Sequence, residues 1–426
     1  MEGIINGIMQ KMTNVNKPQQ KFMAQLFTAL STFVGKATYR NLSRYSDLNE
    51  KTISRWFRRV FDFSKFNNLL LQQLITSKEK ISAIDASYLK KSGKKTNGLG
   101  MFWNGQSSKA EKGLEVSLIS IIDRQSNTAY ALDAKQTIDV DDQTRIDLYA
   151  TQVENCASVL LDQGIKYMAA DALYSKYKFI KRVCATGLEL VGKLRCDSEL
   201  YWQYKGSYSG KGRPKEFNGK VNFENDLTLF DYIKKLDDGT EIYSSIVHSK
   251  TFKRNFRIVL LRLSKENSKQ VGHIILYSTD VNLDALSIIE YYKSRFQIEF
   301  VFRDAKQHTG LADCQSTNVK AIHAHLNSSF TALNLIKLED RMTSGVETQK
   351  IISIASWKRL KFNQRYMKLL FCHLGLELKA EKILCVYNAF SNYVSVNSSA
   401  LYDWAKSLVS KLYGRIARNS FSLLAL

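Results

Sequence analysis

Residues 291–306 read YYKSRFQIEFVFRDAK. Neither Pro nor Gly interrupts them, so the stretch is expected to wind as one unbroken helix. At about 100° per residue, Tyr292, Arg295, Glu299, Arg303 and Lys306 fall within roughly 80° of arc, a polar stripe about 21 Å long. Tyr291, Ile298, Val301, Phe302 and Ala305 gather on the other side, at the spacing of a face that packs on a core. Taken alone, the stripe could be a solvated face whose ion pairs, such as Arg295 with Glu299, contribute about 0.3 kcal/mol each.

The spacing Tyr-x2-Arg-x3-Glu-x6-Lys resembles the tyrosine, arginine, glutamate and lysine signature of the bacterial cut-and-paste transposases of insertion-sequence family 4. In that family the glutamate completes a DDE carboxylate triad. The resemblance therefore requires two aspartates upstream, at the ends of buried strands.

The chain meets that requirement. Ile81–Ile84 is a short apolar run ending at Asp85, and Val116–Ile122 is a second after a loop rich in Lys and Gly. Thr128–Leu132 is a third candidate strand, 141–161 a helix, and Lys166–Ala170 a fourth strand running into Asp171. A helix over 175–186 and a strand over 188–192 follow. Three strands, a helix, a strand, a helix and a strand is the order of a ribonuclease H-like α/β core. Its first and fourth strands are neighbours, which would bring Asp85 and Asp171 together. Either aspartate alone would read as a turn residue; Asp123 also closes a strand and is the natural control.

The fold class expected is α/β. A ribonuclease H-like catalytic core spans 79–195 and 285–340, with a β-rich insertion at 196–284 that does not continue it. A helical DNA-binding region covers 1–78 and a C-terminal helical region 341–426. Residues 38–61 read as a helix-turn-helix: Asn49 caps a helix running to Phe61 whose buried stripe is Ile53, Trp56, Phe57 and Val60. Lys51, Ser54, Arg55, Arg58 and Arg59 face outward, where a recognition helix contacts DNA. Trp357–Lys368 is basic with interleaved aromatics.

Lys and Arg outnumber Asp and Glu by 62 to 40, a formal net charge of +22, which favours a polyanionic partner, nucleic acid above all. No apolar run reaches the length of a membrane span and the N-terminus lacks a secretory pattern, so a cytoplasmic, nucleoid-associated protein with no membrane partner is expected. The six cysteines show no CxxC pair and the six histidines are dispersed, which argues against disulfides and structural zinc.

Phosphodiester chemistry needs an aligned nucleophile and charge placed against the reacting phosphate. Two Mg2+ ions about 4 Å apart supply both, Mn2+ can substitute, and carboxylates suffice as ligands. The resemblance implies that Asp85, Asp171 and Glu299 are catalytic and hold those metals. It implies further that Tyr292, Arg295 and Lys306, with Arg303 beside them, contact DNA near the cut. It also implies a homodimer holding two element ends on double-stranded DNA, cleaving them and joining the freed 3′-hydroxyls to target DNA. The rivals are a nuclease of the same fold that cuts without joining and a catalytically silent DNA-binding descendant of a transposase. Family members stack a flipped base on an aromatic, often a Trp of the insertion. Here no Trp lies between Trp202 and Trp357, leaving Tyr243, Phe252, Phe256 or Tyr277 for that task.

Overall fold

The computed structural model describes residues 1–208, 210, 212–263, 272–344, 353–378 and 381–393. The expected β-rich block at 196–284 is therefore described except at 209, 211 and 264–271, and the expected C-terminal helical region beyond 393 lies outside the described residues. The chain forms two compact units. One holds Met1–Arg59, Asp304–Gln315 and the described part of Ser328–Leu426; the other holds Val60–Arg303 and Ser316–Asn327.

The first unit opens with α1 (Glu2–Gln10), α2 (Lys17–Thr32), α3 (Tyr39–Ser43) and α4 (Glu50–Trp56). Asn16 caps α2 by accepting from the Gln19 amide at 3.0 Å, with Pro18 in the first turn, where its missing N–H costs nothing. Asn49 caps α4 as expected, accepting from Thr52 N at 2.8 Å. Phe22 stacks on Trp56 at 5.3 Å and meets the edge of Phe57. Two expectations fail here. Helix α4 ends at Trp56, so Arg58 and Arg59 lie beyond it, and Val60 is 78% exposed instead of joining the buried stripe.

The second unit begins with α5 (Phe63–Leu74), then β1 (Lys80–Lys90), β2 (Gly100–Asn104), β3 (Lys109–Asp123) and β4 (Thr128–Gln136). Next come α6 (Arg145–Asp162), β5 (Tyr167–Ala170), α7 (Tyr177–Ala185) and β6 (Glu189–Leu194). Six short strands follow: β7 (Tyr201–Gln203), β8 (Phe217–Lys220), β9 (Asp231–Lys235), β10 (Glu241–Ser249), β11 (Arg254–Leu263) and β12 (Gly272–Ser278). Helices α8 (Ala285–Ser294), α9 (Gln297–His308) and α10 (Val319–Ser344) lead back, the last two crossing between the units. In the first unit α11 (Ile354–His373) and α12 (Glu381–Ser391) end the described chain.

Among the described residues twelve strands make one sheet in the order β2-β3-β1-β5-β6-β12-β11-β10-β7-β8, with β4 on β3 and β9 on β10. Strands β1, β5 and β6 run parallel, while β1, β3 and β4 alternate in direction. Every residue of β3 from Gly113 to Asp123 is buried, as expected of a strand covered on both faces. On one such face Asn67 of α5 donates to the Leu132 carbonyl at 3.1 Å. A capping box starts α6, with Thr144 and Asp147 satisfying each other's backbone amides.

In the second unit and along 291–306 the structure corrects the sequence reading in three further places. The Lys- and Gly-rich segment before Val116 is shorter than expected, because β1 runs to Lys90 and β2 forms. The block 196–284 is β-rich but not apart from the core: β12 pairs antiparallel with β6 and extends the same sheet. The unbroken helix over 291–306 is two helices. Between them the amides of Phe296, Ile298 and Glu299 bond three residues back, to Lys293, Arg295 and Phe296, tightening one turn.

At Gly192 the chain tolerates no side chain. A Cβ there would stand 2.7 Å from the buried ring of Tyr277. Gly192→Val is expected to cost about 1–3 kcal/mol of stability, read as a lower urea midpoint at unchanged slope.

Candidate active site

The parallel ladder between β1 and β5 covers only Ser82–Ile84 against Met168–Ala170, and its last pair is Ile84 with Ala170. The next residue on each strand is Asp85 and Asp171. The sequence placed Asp85 at the end of its strand. Instead β1 continues five residues past it, paired with β3 through Asp85 opposite Leu118, and what ends at Asp85 is its pairing with β5. Asp171 does end its strand, and caps the short 3-10 turn Ala172–Tyr174. Each carboxylate accepts from the following amide, Asp85 from Ala86 at 2.8 Å and Asp171 from Ala172 at 2.7 Å. Two neighbouring strands thus hold two carboxylates side by side on rigid backbone.

Helix α8 delivers the third part. Ile288 and Ile289 pack on Val191, Val259 and Leu276 of the sheet, anchored at the helix start by the Asp284 cap on Ser287. The last turn then presents Tyr292, whose hydroxyl reaches Asp171 Oδ1 at 3.4 Å. In the tightened turn Arg295 puts one guanidinium nitrogen 3.4 Å from Asp85 Oδ2 and another 3.1 Å from Glu299 Oε1. The break between α8 and α9 does not scatter the stripe: Tyr292, Arg295 and Glu299 converge on the two aspartates.

Asp85 has 23% of its side chain exposed, and its pKa is pushed up to about 6. Burial is the main cause; Arg295 and the Ala86 amide pull the other way, while Asp171 and Glu299 add to the rise. Burial also leads in raising Tyr292 to about 12, with Asp171 next. For Arg295 burial opposes the charge, but the surrounding acidic groups, Asp85 first, hold its pKa above the ordinary value. Its Nε is buried with no hydrogen-bond partner. The guanidinium is therefore an internal counterion for carboxylates that would otherwise repel one another.

Three carboxylates carried on strands and a helix are hard-oxygen groups of the kind that suits a divalent cation such as Mg2+. Among the described residues no group of three or more His, Cys, Asp or Glu is drawn close enough to hold a metal ion. The geometry supplies a reason: Arg295 stands between Asp85 and Glu299.

The remaining predicted residues divide. Arg303 is exposed on α9 with its guanidinium 4.5 Å from the Phe300 ring, and Lys306 follows on the portion of α9 that belongs to the first unit. In the first unit Lys51 and Arg55 are exposed on α4 and Ser54 is half-buried. Arg58 is exposed past the helix end. Of the four stacking candidates, Phe256 and Tyr277 are buried in the sheet, which leaves Tyr243 and Phe252. Asp123 is tied into its own turn, accepting from Gln125 N at 3.0 Å and Ser126 Oγ at 2.6 Å.

Tyr174 closes the Ala-Asp-x-x-Tyr run at 170–174 by which Asp171 resembles the family's second aspartate motif. It is fully buried, its hydroxyl has no partner, and its pKa is held well above the ordinary value by burial first and then by Asp85.

A family profile described as the transposase DDE domain matches residues 76–335, more than half of the chain. The chain belongs to the DDE transposase family. The matched DDE domain contains Asp85, Asp171 and Glu299, and membership implies an enzyme that binds, cuts and joins nucleic acid. No curated protein matches the chain. Among solved structures, the NurA nuclease from Sulfolobus solfataricus aligns over 64% of this chain and 85% of that one, at 12% identity. Its TM-score of 0.21 is too low to bear on the DDE domain's architecture.

Proposed function

We propose that this DDE transposase belongs to insertion-sequence family 4. In this reading it cuts double-stranded DNA at the ends of its own element and joins the 3′-hydroxyls to target DNA. The observation that carries the reading is the convergence of Asp85, Asp171 and Glu299, around Arg295 and Tyr292, inside the matched domain. The strand order and directions from β4 through β6 support a ribonuclease H-like core over 79–195 and 285–340, with 196–284 as an elaboration of its sheet.

Asp85, Asp171 and Glu299 are the residues that would hold two Mg2+ ions, or Mn2+. When bound, these ions supply nucleophile activation and charge neutralisation at the phosphate. Tyr292 and Arg295 lie where a phosphate would meet the carboxylates, Tyr292 as a hydroxyl and Arg295 as a fork. Arg303 adds an exposed cation on α9, and Lys306 is the remaining residue of the signature that would contact DNA. The working form would be a homodimer on two DNA ends, in the cytoplasm with the nucleoid. The test is incubation of the protein with Mg2+, a short duplex carrying one element end and a target plasmid. Joined products are expected; cutting without joining would leave a nuclease.

Residues 1–78 would supply end recognition, with the helix-turn-helix-like pair over 38–61 as the reader. Deleting a side chain that reads a base edge typically costs about 1–3 kcal/mol. Arg55→Ala is expected to weaken binding to end DNA by roughly tenfold or more and binding to random duplex much less. Arg58, past the helix end, is expected to behave as a phosphate ligand, so Arg58→Ala should weaken both alike. Gel-shift titration on the two duplexes separates these outcomes.

A further inference from the structure

At the far end of the sheet from β3, a cleft of about 570 Å³ is lined by Arg213, Lys215, Phe217, His248, Lys250 and Lys253, with Pro214 and Glu216 completing it. Its carboxylate, Glu216, is already engaged by Arg213 at 2.8 Å. Lys250 and Lys253 are exposed at the turn between β10 and β11. Rings lie among and beside these cations: Phe217 is 4.9 Å from His248 and 5.5 Å from neighbouring Tyr201, and the Lys250 ammonium sits 3.8 Å from the centre of the Tyr201 ring. The nearby Glu199 is held by the Tyr201 hydroxyl. Cations over rings, in surplus over acids, form a surface suited to a polyanion with flat bases.

A short path through the chain connects this cleft to the carboxylates. From Asp171 the chain turns through Ala172–Tyr174 to Ser175, which donates to the Lys193 carbonyl at 2.9 Å. Tyr177 follows, with the ammonium groups of Lys253 and Lys181 at 5.6 and 5.9 Å from its ring. Six residues of chain span at most about 20 Å. Lys253 therefore lies within about one helical turn of B-DNA, ~34 Å, of Asp171.

We propose that this cleft is a second nucleic-acid site, whose Lys250 and Lys253 take phosphates of the DNA duplex flanking the bond held at Asp85, Asp171 and Glu299. The proposal rests on the transposase reading for where DNA enters, but its test reads binding alone. Full-length protein is titrated with a random-sequence 40-base-pair duplex in EDTA across a series of salt concentrations. Removing one phosphate-neutralising cation lowers the salt slope by about 0.9, so Lys250→Ala with Lys253→Ala should reduce it by about 2. Affinity at 0.1 M salt should fall roughly tenfold or more. The control carries the same charge change at two exposed positions of β9, Lys234→Ala with Lys235→Ala, and should change the slope by less than half as much. Acetylation of the wild-type protein gives a second readout: duplex should protect Lys250 and Lys253 more than Lys234 and Lys235. An unchanged slope in the cleft variant, an equal drop in the control, or no protection would overturn the proposal. None of these outcomes bears on the catalytic reading, which is tested separately by whether the wild-type protein cuts and joins DNA.

Discussion

Asp85→Asn and Asp171→Asn are each expected to reduce DNA nicking by about 10³-fold or more, because each removes a hard anionic ligand from a site that must assemble divalent cations. A loss of that size corresponds to about 4 kcal/mol of barrier, within the range a metal supplies. Binding to DNA should persist, since the basic surfaces are untouched. Asp123→Asn, altering only a turn, should retain near wild-type activity. The same substitutions separate in stability. With a folded pKa near 6 against an ordinary value of 3.8, Asp85 retains in the folded state a proton that it loses when unfolded. Metal-free stability should therefore fall as pH rises from about 4 to 6 and stay lower above that range. Asp85→Asn removes this penalty and should stabilise the metal-free protein at pH 7.5 by about 1–3 kcal/mol, seen in thermal unfolding.

Arg295→Ala gives the second large effect, and in two directions. The guanidinium links Asp85 to Glu299 at 3.4 and 3.1 Å, so cations compete with it for the same carboxylates. A unit charge about 4 Å away is worth up to about 4 kcal/mol at an effective dielectric constant of 20. Removing it should tighten Mn2+ binding by tenfold or more, measured by calorimetry without DNA. Nicking should nevertheless fall by about 10²-fold, because the phosphate loses its forked partner. Because a cation cannot itself ligate a metal, the sequence alone would leave Mn2+ binding near normal in this variant; an unchanged affinity would favour that simpler view, and a weakened one would contradict both.

The essentials of the site were legible because they are local or periodic. Apolar runs that stop at Asp85 and Asp171 mark where the β1–β5 pairing ends, and the spacing of Tyr292, Arg295 and Glu299 keeps three polar groups on one side of a helical segment. What periodicity cannot report is how the chain adjusts under packing. The turn at Arg295 tightens although no Pro or Gly marks it, and the guanidinium's two partners come from different elements. Helix α4 ends at Trp56 without a breaker, leaving Val60 exposed. The β12–β6 pairing joins segments about 80 residues apart, which no local pattern encodes. The cleft around Lys250 escaped for the same reason, since its cations and rings come from separate strands and loops.

Glu299 offers the sharpest trial of the triad, because it alone of the three carboxylates is carried by the helical signature and not by a strand. A supercoiled plasmid carrying two element ends is incubated with Mg2+ and either wild-type protein or Glu299→Gln. Nicked and joined products are expected with the wild type and neither with the variant, at equal DNA occupancy. Nicking by Glu299→Gln at near the wild-type rate would reduce the 291–306 stripe to a solvated face and contradict the assignment of the triad.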